Sequence, residues 1–441
     1  MNGCRTVSTR SLIAFTALSI IDNAMSKSAP DSRARPDAGS TACAAEISRK
    51  RGPLAVCALS KVVRMCEAAT HESGSSSGGA GSRKVDGSDK ENSRLHVRGC
   101  YYVAQVTTRI PSRHVLDSAL GECLRKVKNL EDSREMGEVV LSRPRVLAVV
   151  DGNLSRALLS AARSGLCDGR RAVPRCIYFT RLEALIRMGH KHVMADALGT
   201  LPFVPTTYSS MRRPPGRRLP GLWFLKPALE AEGRGIQVLK DPVNVSLPTR
   251  PAYVLQKGVE PPLLLRGHKF DVRIWVTVRG DGYYVVHDDG RLRVSALPYV
   301  ADTAADPGTH ITNVAFQPPG DWRSSWPTRL SETPWYESFM KQVRTAVHKV
   351  LRTAFLRATR DGGTGYCDAT GLGADIYHVT GWDFIADSAG KVWLLEMNIS
   401  PAAHDADGAI ELYTEWARQA ARFALLGPDA VGALRCWNDA R

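Results

Sequence analysis

The chain has 441 residues, of which 44% are hydrophobic and 23% charged, close to the average of soluble globular proteins. This composition excludes a collagen-like, a wholly disordered and a many-spanning membrane protein, and the length allows about three domains. The net charge of +15 divides into +6 over residues 1–100 and +9 over the remainder, so we expect an anionic partner: nucleic acid, a membrane surface or an acidic protein segment.

The first hundred residues differ in composition from the rest of the chain. Residues 11–21 are apolar and follow two arginines, which is typical of a targeting signal or of a short buried stretch, and they are too few for a transmembrane helix. Residues 22–98 are mostly small and polar and cannot bury enough apolar surface to fold. We therefore expect a mostly disordered extension over residues 1–98, with one ambiguous patch at 53–66.

The ten cysteines contain no Cys-x-x-Cys pair and no cluster with histidine at zinc spacing. Spread over so long a chain, they favour reduced thiols over a disulfide scaffold. A cytoplasmic location is therefore expected.

Structured patterns begin near Tyr101. Helices are predicted at 157–162, 181–188, 336–357 and 409–425, the third because apolar residues recur at three- and four-residue steps. Short strands separated by Gly, Pro or Asp indicate antiparallel sheet, and their mixture with helices indicates an α+β fold. The predicted strands are 146–150, 219–225, 236–239, 252–255, 272–278, 283–287, 291–294, 382–386 and 391–396.

The segment 381–401 is the most informative, because it places carboxylates in an apolar hairpin. Asp383 is expected to begin one strand, and in the next strand alternation puts Leu394, Glu396 and Asn398 on one face. Two carboxylates and an amide suit Mg²⁺, which takes oxygen ligands and shares them with water and phosphate. The alternative is a pair of solvated hairpin ends, but an unpaired charge in an apolar strand is costly.

Two further segments carry charge that suits an anionic ligand. Lys226 ends an apolar strand before the loop 232–236, where glycines allow backbone amides to approach a phosphate. Lys269, Asp271 and Arg273 alternate with apolar residues, so one strand face carries plus, minus and plus. Either pattern alone is also typical of an ordinary turn or an exposed strand.

These segments, in this order, resemble the tubulin-tyrosine ligase-like family of ATP-grasp ligases. The resemblance covers about residues 178–425. The matching motifs are Lys226-Pro…Gly-Arg-Gly-Ile236, Gln256-Lys257…Pro-Leu-Leu-Leu, Lys269-Phe-Asp-Val-Arg273, Arg293…Pro298-Tyr299, His310-Ile-Thr-Asn313 and Gly381-Trp-Asp383…Trp-Leu-Leu-Glu-Met-Asn398.

The resemblance implies an ATP-grasp fold, in which ATP lies between two α+β lobes. It implies that Arg273 stabilises the transferred phosphate or acyl phosphate and that Arg293 binds the carboxylate of the incoming amino acid. It also implies Mg²⁺ on Asp383, Glu396 and Asn398. The implied nucleotide contacts are Lys226, Arg234, Gln256, Lys257, Val259, Lys269, Asp271 (at the ribose), Thr312 and Asn313.

The chemistry implied by the resemblance is ATP-dependent amide-bond formation on the acidic tail of tubulin or on another acidic protein. Family branches attach tyrosine, glutamate or glycine, and the motifs leave this choice open. The alternatives are a polyglutamylase or glycylase of the same family, or a catalytically inactive protein that binds tubulin or microtubules. The resemblance also implies association with the cytoskeleton or a cilium. No nucleic-acid partner is expected, because no aromatic-interleaved basic strand of RNA-binding type appears, and no membrane span is expected either.

Two features of the sequence bear on these expectations. Glu230 and Glu232 put negative charge beside the expected phosphates. The basic run 211–218 is a candidate contact for an acidic substrate, or a plain solvated loop. The expected domains are the extension 1–98, N-terminal and central lobes over 99–225, and a catalytic domain over 226–430.

Overall fold

A computed structural model provides the architecture of the chain. Within the described residues, no helix is both long and apolar enough to cross a membrane. The extension expected over 1–98, with its apolar stretch at 11–21, and the helix expected at 157–162 lie outside the described residues. The structure describes residues 100–104, 116, 118–120, 125–127, 146–150, 175–230, 232–248, 252–301, 304, 306–313, 316–318, 325–360, 373–401 and 409–436.

The described part contains two sheets and the helices that cover them. The helices are α1 (Glu183–Ile186), α2 (Lys191–Leu198), α3 (Tyr336–Arg360) and α4 (Ile410–Leu426). The strands are β1 (Cys100–Ala104), β2 (Arg125–Val127), β3 (Val146–Val150), β4 (Arg175–Phe179), β5 (Thr207–Tyr208), β6 (Leu222–Pro227), β7 (Gln237–Lys240), β8 (Tyr253–Lys257), β9 (Leu264–Leu265), β10 (His268–Arg279), β11 (Tyr283–Pro298), β12 (Ile376–Ala386), β13 (Val392–Asn398) and β14 (Leu434–Arg435).

The larger sheet joins an antiparallel half to a parallel half. In the described part its strands follow the order β14-β11-β10-β12-β4-β3-β1-β2, while β13 pairs with β12 and β9 with β10. The strands β1 to β4 run parallel to one another, and β4 runs parallel to the first residues of β12. The described chain is therefore a mixed α/β structure, somewhat richer in parallel sheet than the α+β prediction.

The smaller sheet is antiparallel, with the order β5-β8-β6-β7. Trp223 and Leu255 pack on one side of it, whereas Phe224 and Val238 pack on the other. Because side chains alternate along β6, Lys226 shares the face of Phe224 and points away from Trp223. This face looks toward the larger sheet across a cleft.

Helices cover both faces of the larger sheet. Phe270 and Ile274 of β10 pack in a core with Phe339 and Val343 of α3, which confirms the periodicity predicted for that helix. On the opposite face Trp275 stacks on Trp416 of α4, with ring centroids 5.8 Å apart. The larger sheet is thus packed against α3 on one face and α4 on the other, so its strands form a rigid scaffold.

Two strands, β11 and β12, differ most from their predictions, although most predicted boundaries shift by a few residues. The strands predicted at 283–287 and 291–294 form one continuous strand, β11. In the polar stretch between them, Gly290 lies directly opposite Ile274 of β10. A Cβ on Gly290 would lie only 2.4 Å from the Ile274 side chain, so glycine allows this close pairing. The prediction that Asp383 begins its strand is wrong, because β12 starts at Ile376.

Candidate active site

The cleft between the two sheets encloses about 850 Å³ of space up to its open mouth. Every residue predicted as a site residue lines this cleft except Arg273 and Asn398, and both of these are hydrogen-bonded to Asp383 in the lining. Residues from distant parts of the sequence therefore meet at one place.

A β-bulge in β13 turns Glu396 into the cleft. Asp383 of β12 lies opposite Glu396, whereas the next residue, Phe384, lies opposite Leu394, so Leu395 is the extra residue. Leu394 packs in the core, while Leu395 and Glu396 both line the cleft. The prediction that Leu394 shares the face of Glu396 is wrong, because a bulge re-aims the side chains that follow it.

Asn398 joins the two carboxylates predicted as metal ligands. Its amide nitrogen lies 3.2 Å from Oδ2 of Asp383 and 3.3 Å from Oε1 of Glu396. The described residues contain no group of three or more His, Cys, Asp or Glu side chains placed for a metal ion. The predicted donor set has two carboxylates and one amide, whose nitrogen faces both carboxylates; its oxygen donors are of the type that Mg²⁺ takes together with water and phosphate oxygens.

Two arginines neutralise the aspartates at the base of the cleft. Arg273 binds Asp383 through two hydrogen bonds of 2.8 Å, and the buried Arg293 bridges Asp383 at 2.9 Å to Asp271 at 2.6 Å. Thr312 also donates to Asp271. Burial opposes ionisation of Asp383, but the two guanidiniums outweigh it and hold the pKa of this carboxyl well below its usual range.

Lys226 reaches the cleft from the smaller sheet. Its ammonium donates to Oε1 of Gln256 at 2.7 Å, and the Gln256 amide in turn donates to the backbone oxygen of the bulged Leu395 at 3.3 Å. Burial lowers the pKa of Lys226 to about 8, although the nearby Glu396 acts in the opposite direction. A phosphate beside Lys226 would favour the protonated, positively charged form of its ammonium.

Lys269 lies in a buried aromatic setting. Its ammonium is 5.2 Å from the ring centre of Phe224 and 5.8 Å from that of Tyr299, and 3.6 Å from Oε1 of Glu260. Tyr299 donates its hydroxyl hydrogen to the same Glu260. Burial lowers the pKa of Lys269, and the carboxylate of Glu260 partly offsets this effect.

Comparison with known proteins identifies the family. The family model of the tubulin-tyrosine ligase family matches residues 163–414, which is more than half of the chain. The chain belongs to the tubulin-tyrosine ligase family. The family match thus confirms the resemblance that the sequence motifs indicated.

Several curated members of the family are similar to this chain. The inactive polyglycylase TTLL10 of Homo sapiens is 28% identical over 225 residues, covering 42% of this chain and 31% of that protein. The tubulin polyglutamylase TTLL5 of Homo sapiens is 26% identical over 254 residues, covering 52% and 20%. The tubulin glycylase 3D of Tetrahymena thermophila is 24% identical over 200 residues, covering 41% and 19%. The chain thus spans less than a third of each of these relatives.

The glycine-rich loop of this family member carries an ion pair at the cleft. Glu232 accepts a hydrogen bond from Arg234, and both side chains are largely exposed. Glu232, Gly233 and Gly235 all have positive φ, so the loop depends on left-handed backbone that glycine adopts most easily. Arg234 lines the cleft as predicted, but Glu232 lines it beside Arg234 and partly neutralises its charge.

Two residues at the cleft carry no signal in the sequence. Lys191, at the start of α2, lies 3.3 Å from Oε2 of Glu396 and donates to the backbone oxygen of Glu230 at 2.7 Å. Glu260 follows the segment 256–259 and holds Lys269. A lysine at a helix start and a glutamate before two prolines look like ordinary surface residues, so only their tertiary contacts distinguish them.

The basic run 211–218 lies at the far end of the smaller sheet. It precedes the start of β6, whereas Lys226 lies near the end of that strand. Arg218 pairs with Asp241 at 2.5 Å, and Arg212 donates to the backbone oxygen of Gly199 at 3.4 Å. All four arginines of the run are exposed. A contact between them and an acidic substrate stays a prediction.

Proposed function

We propose that the chain is an ATP-dependent ligase that joins a free amino acid to a carboxylate on the acidic tail of tubulin. The observation that carries this proposal is the pairing, in one cleft, of Lys226 and Lys269 with the oxygen donors of Asp383, Glu396 and Asn398. In a member of this family, that arrangement is what phosphoryl transfer from ATP needs, because the chemistry depends on positioning and charge neutralisation.

The nucleotide would lie between the two sheets in the manner of an ATP-grasp enzyme. Backbone groups of 256–259, which connect β8 to the next segment, would hold the adenine. Asp271 would accept from the ribose, and Thr312, which donates to Asp271, would contact the nucleotide together with Asn313.

Asp383, Glu396 and Asn398 would hold Mg²⁺. When bound, the ion supplies positive charge that offsets the charge on the phosphate oxygens. Arg273 and Arg293 keep Asp383 ionised and fix its orientation, so the carboxylate is ready before the ion arrives. The Lys226 ammonium would contact the phosphates from the opposite wall.

The reaction would proceed in two displacement steps. A carboxylate oxygen of the acceptor attacks the γ-phosphorus, the bond from this phosphorus to the bridging oxygen breaks, and ADP leaves. The amine nitrogen of the free amino acid then attacks the carbon of the acyl phosphate. The carbon–oxygen bond to phosphate breaks, phosphate leaves, and the proton released from the amine passes to water or to the departing phosphate. Arg273 would steady the charge on the transferred phosphoryl group.

A ligation assay tests this proposal. The purified full chain is incubated with ATP, Mg²⁺, peptides of the tubulin tails, and glycine, glutamate or tyrosine in turn, and mass spectrometry reads the peptide. We expect one amino acid to add its residue mass, with loss of the product in Glu396→Gln. A wild-type chain that adds none of them to any acidic peptide would overturn the ligase proposal. A tubulin substrate would also place the protein at the cytoskeleton.

A second candidate is an inactive family member that binds tubulin without modifying it. Two observations favour it: a similar human protein is named an inactive polyglycylase, and Glu232 partly neutralises Arg234 at the cleft. Binding of Mg²⁺ and ATP without turnover, in the presence of a bound acidic peptide, would support this reading.

A further inference from the structure

A second cavity of about 390 Å³ lies beside the metal-ligand strand, and we refer to it as the slot. It arises from the pairing of β12. On one edge of β12, β4 pairs with Ile376 and Tyr377, and β13 pairs with residues 381–386, so residues 378–380 have no strand partner there. The slot fills this gap between the end of β4 and residues 399–401, which follow β13.

The slot presents hydrogen-bond donors that are not fully used. Arg181 donates from Nε to the Ser400 hydroxyl at 2.9 Å, and this is the hydrogen bond that its guanidinium makes within the described part of the chain. The buried hydroxyl of Thr180 and indole nitrogen of Trp416 have no hydrogen-bond partner among the described residues. A buried polar group without a partner is unfavourable, and the Arg181 guanidinium lines the slot with donors other than Nε, so the slot favours a ligand that accepts hydrogen bonds.

The charge of the slot fits a carboxylate rather than a phosphate. Arg181 is the charged residue among the described residues that line it. His378 stays neutral: it accepts from the backbone nitrogen of Leu182, its other ring nitrogen bonds the backbone oxygen of Ile399, and burial lowers its pKa to about 4. One guanidinium with neutral donors balances the single negative charge of a carboxylate, which arginine binds in a fork, whereas a phosphate group carries about −1.5 to −2.

The slot adjoins the base of the cleft. Gly381 separates them: a Cβ at this glycine would lie 2.8 Å from Cβ of Pro401, a slot residue, and 3.5 Å from the side chain of Arg273. Arg273 in turn binds Asp383. Gly381 and Arg273 therefore separate the slot from Asp383 of the metal-ligand cluster.

We propose that the slot binds a carboxylate of the acidic acceptor peptide, with Arg181 as its anchor. This inference rests on the proposed ligase function. The acceptor has to approach the γ-phosphate roughly in line with the departing ADP, hence from the side away from the nucleotide. A neighbouring acidic residue of the same peptide would enter the slot and hold the reacting carboxylate in register.

The test measures binding of a fluorescein-labelled acidic tail peptide to the full chain by anisotropy, without any turnover. Arg181→Gln should weaken binding about tenfold or more, because it removes a charge-assisted hydrogen bond to the peptide carboxylate. Arg181→Lys should fall between, since lysine keeps the charge without the fork. Arg187→Gln is the matched control: Arg187 is exposed, six positions away, and pairs with Glu183 at the surface.

Two further arms identify the ligand. A peptide with Gln in place of each Glu should bind weakly and equally to wild type and Arg181→Gln. The affinity for ATP should not change in the variant. Peptide binding by Arg181→Gln within about twofold of wild type would overturn the proposal, and so would a raised requirement for the free amino acid with unchanged peptide binding. A wild-type chain that binds peptide through Arg181 but never ligates would leave the slot standing and remove only the ligase function.

Discussion

The two carboxylates of the metal-ligand cluster should respond differently to the loss of their charge. Both would hold Mg²⁺, but Asp383 is buried among Arg273 and Arg293, whereas the Glu396 side chain is 24% exposed and faces Lys191 at 3.3 Å. Asp383→Asn leaves buried guanidiniums without their carboxylate, which typically destabilises a protein by about 3–5 kcal/mol. Glu396→Gln breaks a partly exposed pair that contributes about 0–1 kcal/mol.

Activity should not follow this difference in stability. Removing one ligand charge from the cluster weakens the stabilisation of the phosphates, and the loss of a single electrostatic contact of this kind typically reduces the rate about 100- to 1,000-fold. Glu396→Gln should therefore lose at least about 100-fold in ligation while its free energy of unfolding in urea stays within about 1 kcal/mol of wild type. Asp383→Asn should lose both activity and stability.

The two measurements together can refute the reasoning. Ligation by Glu396→Gln within about threefold of wild type would exclude Glu396 as a metal ligand. A stable Asp383→Asn variant would instead show that Arg273 and Arg293 find other partners and that the ion-pair cluster is not needed for folding. Nucleotide binding titrated with and without Mg²⁺ gives a readout that does not depend on turnover, and in Glu396→Gln the gain from Mg²⁺ should shrink.

Two further predictions concern charge. The pKa of Lys226 is lowered to about 8, and bound phosphate favours the charged lysine, so ATP affinity should fall about tenfold between pH 7 and 9. In a fluorescence titration, Lys226→Arg should bind ATP with a flatter pH profile. An unchanged slope in this variant would assign the pH dependence to another group. Replacing Arg213 and Arg217, two exposed arginines of the basic run, with serine should weaken tubulin binding in 0.1 M salt but not in 1 M salt. The Debye length is about 10 Å at the lower salt concentration and about 3 Å at the higher one. A variant that binds tubulin as tightly as wild type at both concentrations would make the run a solvated loop.

The sequence predicted where the charges of the site lie, but not how they are paired. Alternation along β10 placed Lys269 and Asp271 on one face, and the structure has both in the cleft lining. The same rule failed at Leu394, since nothing in a run of apolar residues marks the position at which a strand bulges. The position of a bulge depends on the register between two strands. Here it is recognised from the pairing of Asp383 with Glu396 and of Phe384 with Leu394.

Long-range contacts account for the other gaps. Lys191 of α2 lines the cleft and Glu260, in the segment after β8, pairs with Lys269 of the lining, and local sequence carries no trace of either contact. The long helices α3 and α4 were easier to predict than the short α2, which was not predicted: α3 buries a regular stripe and begins at the predicted residue. Local periodicity therefore specifies the scaffold, whereas the site depends on which strand ends meet.

Arg293 is the residue whose predicted role and structural setting differ most. Family resemblance implies that it binds the carboxylate of the incoming amino acid, yet it is buried and already bridges Asp271 and Asp383. Arg293→Lys keeps the charge but cannot bridge both aspartates with one planar fork. If Arg293 mainly positions the aspartates, this variant should raise the ATP and amino-acid requirements together and reduce the gain in ATP affinity from Mg²⁺. A rise in the amino-acid requirement of tenfold or more at unchanged ATP affinity would instead assign its fork to the substrate and show that the aspartates release it when the amino acid binds.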